Sequence, residues 1–410
     1  MPKIISLNSQ VMRILWIITI ILSTTYVGAQ VRQIDIRKLY EQGKEAYDNA
    51  NYKEALSLLN KCLMEDPGYL EAYLTRAATR EQLEDLQGAN TDYSIYLESK
   101  PDQPEVLYSL ATLRYRLGLY SQAKEDFLRL LTLPPGETTA IYFNKAPSAA
   151  GTNQIMTTQS SIKPLLFNYL GLVETKLNNY DAAIHWLDSA ISLQGKEADY
   201  YVNRGIAKEK MQDTTAFSDY KKALVLNPDN AAARHNIAGL KRHAGDTTES
   251  LDQLERAIES DSSMLYPYLA RAYQRMEGGY FKGAIEDYNR ALEINDKNPE
   301  IWLNRGIVKE KMNDLKGAVS DYTMAIELDE KYDKAWLNRG NVLSKQGRYK
   351  EASEDYTVAI TFNPEYAFAF YNRAMARQKQ KQTVEACEDL QKAETLGFVV
   401  NEKVKKEICK

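Results

Sequence analysis

The sequence predicts an all-α solenoid of stacked helical hairpins, and three observations predict it. A small residue returns at a thirty-four-residue interval, from Gly306 forward to Gly340 and Ala374 and back to Ala272 and Ala238. An alanine follows it twelve places on, at Ala284, Ala318, Ala352 and Ala386, with an aromatic four places later at Tyr288, Tyr322 and Tyr356. Turn and breaker residues separate these groups: Asn313 and Gly347 fall between the helices of a pair, and Pro228 and Pro364 fall where the second helix must stop. Small residues let two helix backbones approach and bulky ones fill the adjoining gaps, so each period is one hairpin. A repeat array also suits the length, because single cores stop growing at roughly 250 to 300 residues.

At the N-terminus, Lys3 and Arg13 precede an apolar run over residues 14–22, and the small residues Val27 and Ala29 stand before Gln30. Residues 1–29 therefore read as a secretory signal peptide cut between Ala29 and Gln30. An uncleaved anchor is the alternative, but a spanning helix needs about 20 apolar residues and Ser23, Thr24 and Thr25 interrupt this one. No cysteine follows before Cys62, so lipoprotein processing lacks its acceptor.

With the recurring small residue as position 8, three repeats starting at 36, 70 and 104 occupy residues 30–137. Seven more start at 164, 198, 231, 265, 299, 333 and 367 and fill residues 164–400, with one residue missing near Asp213. The insertion at 138–163 sets β-favouring "TTAIYF" and "QIMTT" around a Pro-, Gly- and Asn-rich turn, which predicts a β-hairpin; the alternative is a disordered loop. The polar tail 401–410 suits a helix that caps the last apolar face.

An aromatic at position 4, a small residue at 8, alanine at 20, an aromatic at 24, alanine at 27 and proline at 32 together resemble the tetratricopeptide repeat. The resemblance covers about ten repeats and implies a right-handed superhelical solenoid that binds a protein or an extended peptide in its concave groove.

Within "WLNRG", which occurs at 302–306 and 336–340, the arginine is position 7. In an antiparallel hairpin that position faces 23 or 24, and the chain sets Arg76, Arg204, Arg271, Arg305, Arg339 and Arg373 against Asp92, Asp219, Asp287, Asp321, Asp355 and Asp389. Where the base is absent, at Gln42, Leu170 and Ile237, the acid is absent too; the third repeat, with Leu110 and Asp126, is the exception. A structural ion pair follows, since a ligand-binding arginine would not require an internal acid.

The preceding residue points about 100° away around the helix, out of the packed layer. Position 6 is Asn203, Asn236, Asn304, Asn338 and Asn372, and a row of carboxamides can hold peptide backbone without reading its side chains. This row resembles the asparagine ladder of O-linked N-acetylglucosamine transferase, whose catalytic domain has no counterpart here. Leu303, Ile307, Leu337, Tyr371 and Met375 would add apolar groove surface, and Arg116, Lys176, Lys210, Lys311, Lys345 and Lys379 a basic stripe at position 13. The same asparagines and lysines could equally be solvated helix faces. The two-carboxylate clamp of chaperone-binding relatives needs a lysine at position 5, where Leu303, Leu337 and Tyr371 stand.

No phosphate loop, zinc spacing or nucleophile elbow is present, so no enzyme, cofactor, metal or small-molecule substrate is expected. His235 and His243 lack a third ligand, and His185 sits beside Trp186. A net charge of −4, from 52 basic and 56 acidic residues, gives nucleic acid no basic face. Cys62 replaces a packing alanine, and Cys387 and Cys409 could bridge the cap to the last repeat. The sequence thus points to a non-enzymatic adaptor of the bacterial cell envelope, periplasmic or secreted, with a membrane contact only through an uncleaved signal. A passive scaffold docking through its convex face or the hairpin is the alternative, and an enzyme a remote one.

Overall fold

A computed structural model describes residues 35–133, 141–142, 155–156 and 162–409, and it divides into two compact units. The first comprises residues up to Ile141 with Thr158–Asn179, and holds α1 (Ile36–Asp48), α2 (Tyr52–Glu65), α3 (Leu70–Gln82), α4 (Leu86–Ser99), α5 (Pro104–Arg116), α6 (Tyr120–Thr132) and α7 (Lys163–Lys176). The second comprises Tyr142–Thr157 with Tyr180–Lys410. Its helices are α8 (Tyr180–Leu193), α9 (Ala198–Lys210), α10 (Ala216–Leu226), α11 (Ala231–His243), α12 (Thr247–Ser260), α13 (Leu265–Glu277) and α14 (Phe281–Ile294). They continue with α15 (Pro299–Lys311), α16 (Leu315–Leu328), α17 (Asp333–Lys345), α18 (Tyr349–Phe362), α19 (Ala367–Lys379), α20 (Thr383–Thr395) and the short α21 (Glu402–Ile408). The fold is all-α, and among the described residues no helix is long and apolar enough to cross a membrane.

Each turn between paired helices is closed by one left-handed residue at position 15: Ala50, Glu84, Asn178, Gln212, Asn313 and Lys381, or glycine at Gly118, Gly245, Gly279 and Gly347. Asp85, Asp246 and Asp314 then cap the second helix by accepting from the backbone N–H of Gly88, Glu249 and Gly317. The small residue at position 8 is a packing requirement. A Cβ on Gly306 would lie 2.6 Å from the Tyr322 ring, and one on Gly340 would lie 2.7 Å from that of Tyr356. Trp302 lies against two successive apolar clusters and Trp336 against the second of these and the one after it, so each indole joins its own hairpin to its neighbour. Their indole N–H groups donate to the carbonyls of Asp296 and Glu330, which fixes the ring against the preceding loop.

The β-hairpin predicted for the insertion is not supported. Before Ile162 and Lys163, which lead into α7, the described residues there are β1 (Ile141–Tyr142) and β2 (Ile155–Met156), which pair with each other. A ladder of this length is far below the usual five or so residues per strand. Residues 138–140, 143–154 and 157–161, and the signal peptide with Ala29 and Gln30, lie outside the described residues. At the C-terminus, Val400 and Ile408 bury against Ala374, Ala386 and Leu390, and a disulfide joins Cys387 to Cys409. Cys62 is a buried free thiol whose Sγ–H donates to the Ile36 carbonyl, and burial pushes its pKa up.

Candidate peptide-binding face

The arginines of position 7 reach the acids sixteen residues on, or fifteen in the shortened repeat. Arg305 donates from Nε and Nη2 to the two oxygens of Asp321 at 2.9 and 2.7 Å. Arg76, Arg204, Arg271, Arg339 and Arg373 engage Asp92, Asp219, Asp287, Asp355 and Asp389 in the same two-pronged way. The guanidinium also lies over the aromatic at position 4, 4.6 Å from the Trp302 ring centre and 4.8 Å from that of Trp336.

Three parts of this network were not anticipated. Arg305 Nη1 donates backward to Asn289 of the preceding repeat at 2.7 Å, and Arg76, Arg204, Arg339 and Arg373 do likewise to Asn60, Asp188, Thr323 and Thr357. One side chain therefore ties its own hairpin and staples it to the previous one. The acid also receives a second base from position 11: Arg80 on Asp92, Lys208 on Asp219, Arg275 on Asp287, Lys309 on Asp321 and Arg377 on Asp389. This resolves the third repeat, where Leu110 replaces the arginine and Arg114, one helical turn on, pairs with Asp126 at 2.7 Å. Asp126 and Asp355 are the acids with a single base, Leu343 standing at position 11 for the latter. In both, burial outweighs the pairing and raises the pKa. Finally, the tyrosine of position 24 donates to position 12: Tyr93 to Glu81, Tyr220 to Glu209 and Tyr322 to Glu310. Spacing alone did not mark this pair, although the three Tyr–Glu matches in sequence would have.

With the arginines committed inward, the asparagines divide. Asn236, Asn304 and Asn338 are half-buried and have no side-chain hydrogen-bond partner among the described residues. Asn372 donates at 2.8 Å to Asn341, which also accepts from the Tyr356 hydroxyl, and Asn203 is 8% exposed. These two therefore offer less than the sequence suggested, Asn372 through its partner on the neighbouring repeat and Asn203 through burial. In the basic stripe, Lys210, Lys311 and Lys379 are exposed without an ion pair among the described residues, whereas Lys345 reaches Glu310 at 2.6 Å and Arg116 reaches Glu81 at 3.2 Å. The apolar groove surface assigned to Leu303 and Leu337 is corrected: both are buried in the inter-repeat core, so position 5 packs inward here. Ile307 is half-buried, and Tyr371 and Met375 lie against the C-terminal cluster with Phe398.

The sixth repeat departs from its neighbours. Arg234 takes the aromatic position, and His235 lies 6.4 Å from the Tyr266 ring with its Nδ1 buried and unpartnered. Burial lowers the His235 pKa. His243 is exposed, and His185 makes an edge contact with Trp186. Among the described residues no group of three or more His, Cys, Asp or Glu could hold a metal.

Residues 299–332 and 333–366 match the tetratricopeptide repeat family, and residues 272–313 match a second repeat family of the same kind. The chain is 23% identical to DnaJ homolog subfamily C member 3 of Gallus gallus, over 68% of this chain and 56% of that protein. It is 25% identical to the human Protein O-mannosyl-transferase TMTC1, over 41% of this chain and 21% of that one. The chain thus spans from about a fifth to under two thirds of the length of these relatives. Solved structures with which it aligns include YrrB, described as a TPR protein with an unusual peptide-binding site, at 25% identity, 43% of this chain, 92% of that one and a TM-score of 0.39. Yeast Tom70 aligns at 17% identity over 91% of this chain and 94% of that one, with a TM-score of 0.34. Residues 272–366 thus carry tetratricopeptide repeats, and the small residue at position 8 and the paired-helix spacing of these segments recur in the other hairpins.

Proposed function

We propose that the second unit holds an extended polypeptide across the first helices of its repeats, with the carboxamides of Asn236, Asn304 and Asn338 bonding its backbone. One observation carries this reading. The position-7 arginines and their acids are consumed by the hairpins, while these three amides stay half-buried at one helical position with no partner among the described residues. The free ammonium groups of Lys210 and Lys311 favour a segment with some negative charge. Export through residues 1–29 into a periplasmic or extracellular space belongs to the same proposal, and the Cys387–Cys409 disulfide supports it, because such bonds persist in oxidising compartments.

The scaffold alternative rests on a row of part-exposed apolar side chains at the ends of second helices: Leu193, Ile294, Leu328 and Phe362. A photo-crosslinking residue placed at Asn304 or at Phe362 in the full chain, expressed in its own cell, separates the two. Polypeptide adducts from position 304 and none from 362 support groove binding; the reverse supports docking through the other face.

A further inference from the structure

We infer that the sixth and seventh repeats carry a side-chain pocket that selects, within the bound polypeptide, an aromatic residue flanked by a carboxylate. The inference rests on the groove reading above and adds what the groove reads. His235, Gly239 and Arg242 form one stripe of α11, at intervals of four and three; Tyr266, Ala270 and Tyr273 form the matching stripe of α13. The two stripes meet at both ends. His235 approaches Tyr266, with ring centres 6.4 Å apart, and the Arg242 guanidinium lies 4.8 Å from the centre of the Tyr273 ring. Seven residues, about 10 Å of helix, separate these contacts.

Between them the wall is missing. A Cβ built on Gly239 would meet nothing within 4 Å, and the same position is filled by Ile206, Tyr273, Ile307, Asn341 and Met375 in the other repeats of this unit's first helices. Ala270 stands on the facing stripe where five other repeats carry asparagine. The gap is bounded by two phenol rings, and Tyr266 is 65% exposed. Aromatic pairs prefer offset or edge contacts with centres about 4.5 to 7 Å apart, which an incoming ring can make with both.

The polar fittings specify the neighbour. Arg242 makes no ion pair among the described residues, so its donors are free beside the ring it covers. Glu277 is the acid nearby, and it is engaged by the Tyr273 hydroxyl. His235 Nδ1 is buried without a partner. A carboxylate adjoining the inserted ring satisfies Arg242; an ammonium there would face a guanidinium.

The test uses the full chain after signal removal and three fluorescein-labelled Gly/Ser peptides with a central Phe–Asp, Phe–Lys or Ala–Asp pair, read by fluorescence anisotropy. Phe–Asp should bind about tenfold or more tighter than the other two. Gly239→Leu should weaken it by about tenfold or more while Tm stays equal or rises, since leucine is the better helix former. Arg242→Glu should abolish the preference for Phe–Asp over Phe–Lys. No Phe–Asp binding by the parent protein, equal binding of the three peptides, or unaltered binding by Gly239→Leu overturns the pocket. Joint replacement of Asn236, Asn304 and Asn338 by alanine separates the failures. If that variant loses the peptide and Gly239→Leu does not, the pocket alone is wrong; if neither loses it, the groove reading falls too.

Discussion

Replacing Asp321 and Asp355 by alanine, one at a time, asks how much each acid holds and why the two differ. The Asp321 side chain is 2% exposed and accepts from Arg305 at 2.7 Å and Lys309 at 2.8 Å. Its removal strands two cations, although Lys309, at 21% exposure, can turn to water and Arg305 keeps Asn289 and Trp302. Breaking a buried pair costs about 3 to 5 kcal/mol, and the escape of Lys309 places Asp321→Ala near the lower end, about 3 kcal/mol. Asp355 answers Arg339 alone at 2.8 Å, and burial has already raised its pKa, so its ionised form is less fully offset. Asp355→Ala should then cost about 1 to 2 kcal/mol. At about 2 to 4 °C per kcal/mol, circular dichroism melts should show the larger Tm fall for Asp321→Ala.

The pH dependence gives a second reading of the same substitution. A folded pKa above the unfolded one makes the contribution of Asp355 full below the unfolded value and lost as pH rises through the folded value. The deficit of Asp355→Ala against the parent should therefore shrink from about pH 4 toward pH 7. Equal Tm losses for the two variants, or an Asp355→Ala deficit that grows over this range, would refute the reasoning.

Other expected outcomes follow from the same contacts. Glu310→Gln removes the Lys345 pair, which is 57% exposed on the lysine side and so contributes under about 1 kcal/mol, but keeps an acceptor for Tyr322. Glu310→Ala leaves the Tyr322 hydroxyl without its acceptor and should cost about 1 to 3 kcal/mol more, checked by the same melts. Lys381→Gly should raise stability by about 1 kcal/mol, because Lys381 holds φ at 64° in a turn where four repeats use glycine. Cys387→Ser should strip hydrogen-exchange protection from α21 while leaving α18 protected, since the bond spans 22 residues and loops of that size contribute about 3 kcal/mol. Full protection of α21 in that variant would count against the staple.

Much of the repeat was legible because two requirements leave marks at one spacing: a missing side chain at Gly306 under Tyr322, and an arginine whose acid lies sixteen residues on. The third repeat looked irregular only because Asp126 draws its base from Arg114, one turn later on the same helix face. Periodicity gives a direction around one helix but says nothing of what the next helix places there. Asn372 therefore resembled Asn304 until Asn341 was seen beside it, and Leu303 read as groove surface although it packs in the core. The backward donation from Arg305 to Asn289 is hidden for the same reason, its partner being an asparagine in one repeat and Thr323 or Thr357 in others. The gap at Gly239 is a departure from the pattern, and departures are where a shared scaffold becomes a particular binding face.

The central claim is that within "WLNRG" the arginine holds the fold and the asparagine holds the partner. It is tested most directly by one paired measurement on two proteins, Asn236, Asn304 and Asn338 jointly changed to alanine, and Asp321→Ala. Tm and affinity for the polypeptide crosslinked at position 304 are read from each. The account predicts an unchanged Tm with affinity down by about tenfold or more for the first, and a lowered Tm with affinity retained below that melt for the second. Retained affinity in the asparagine variant, or lost affinity at unchanged Tm in Asp321→Ala, would contradict it.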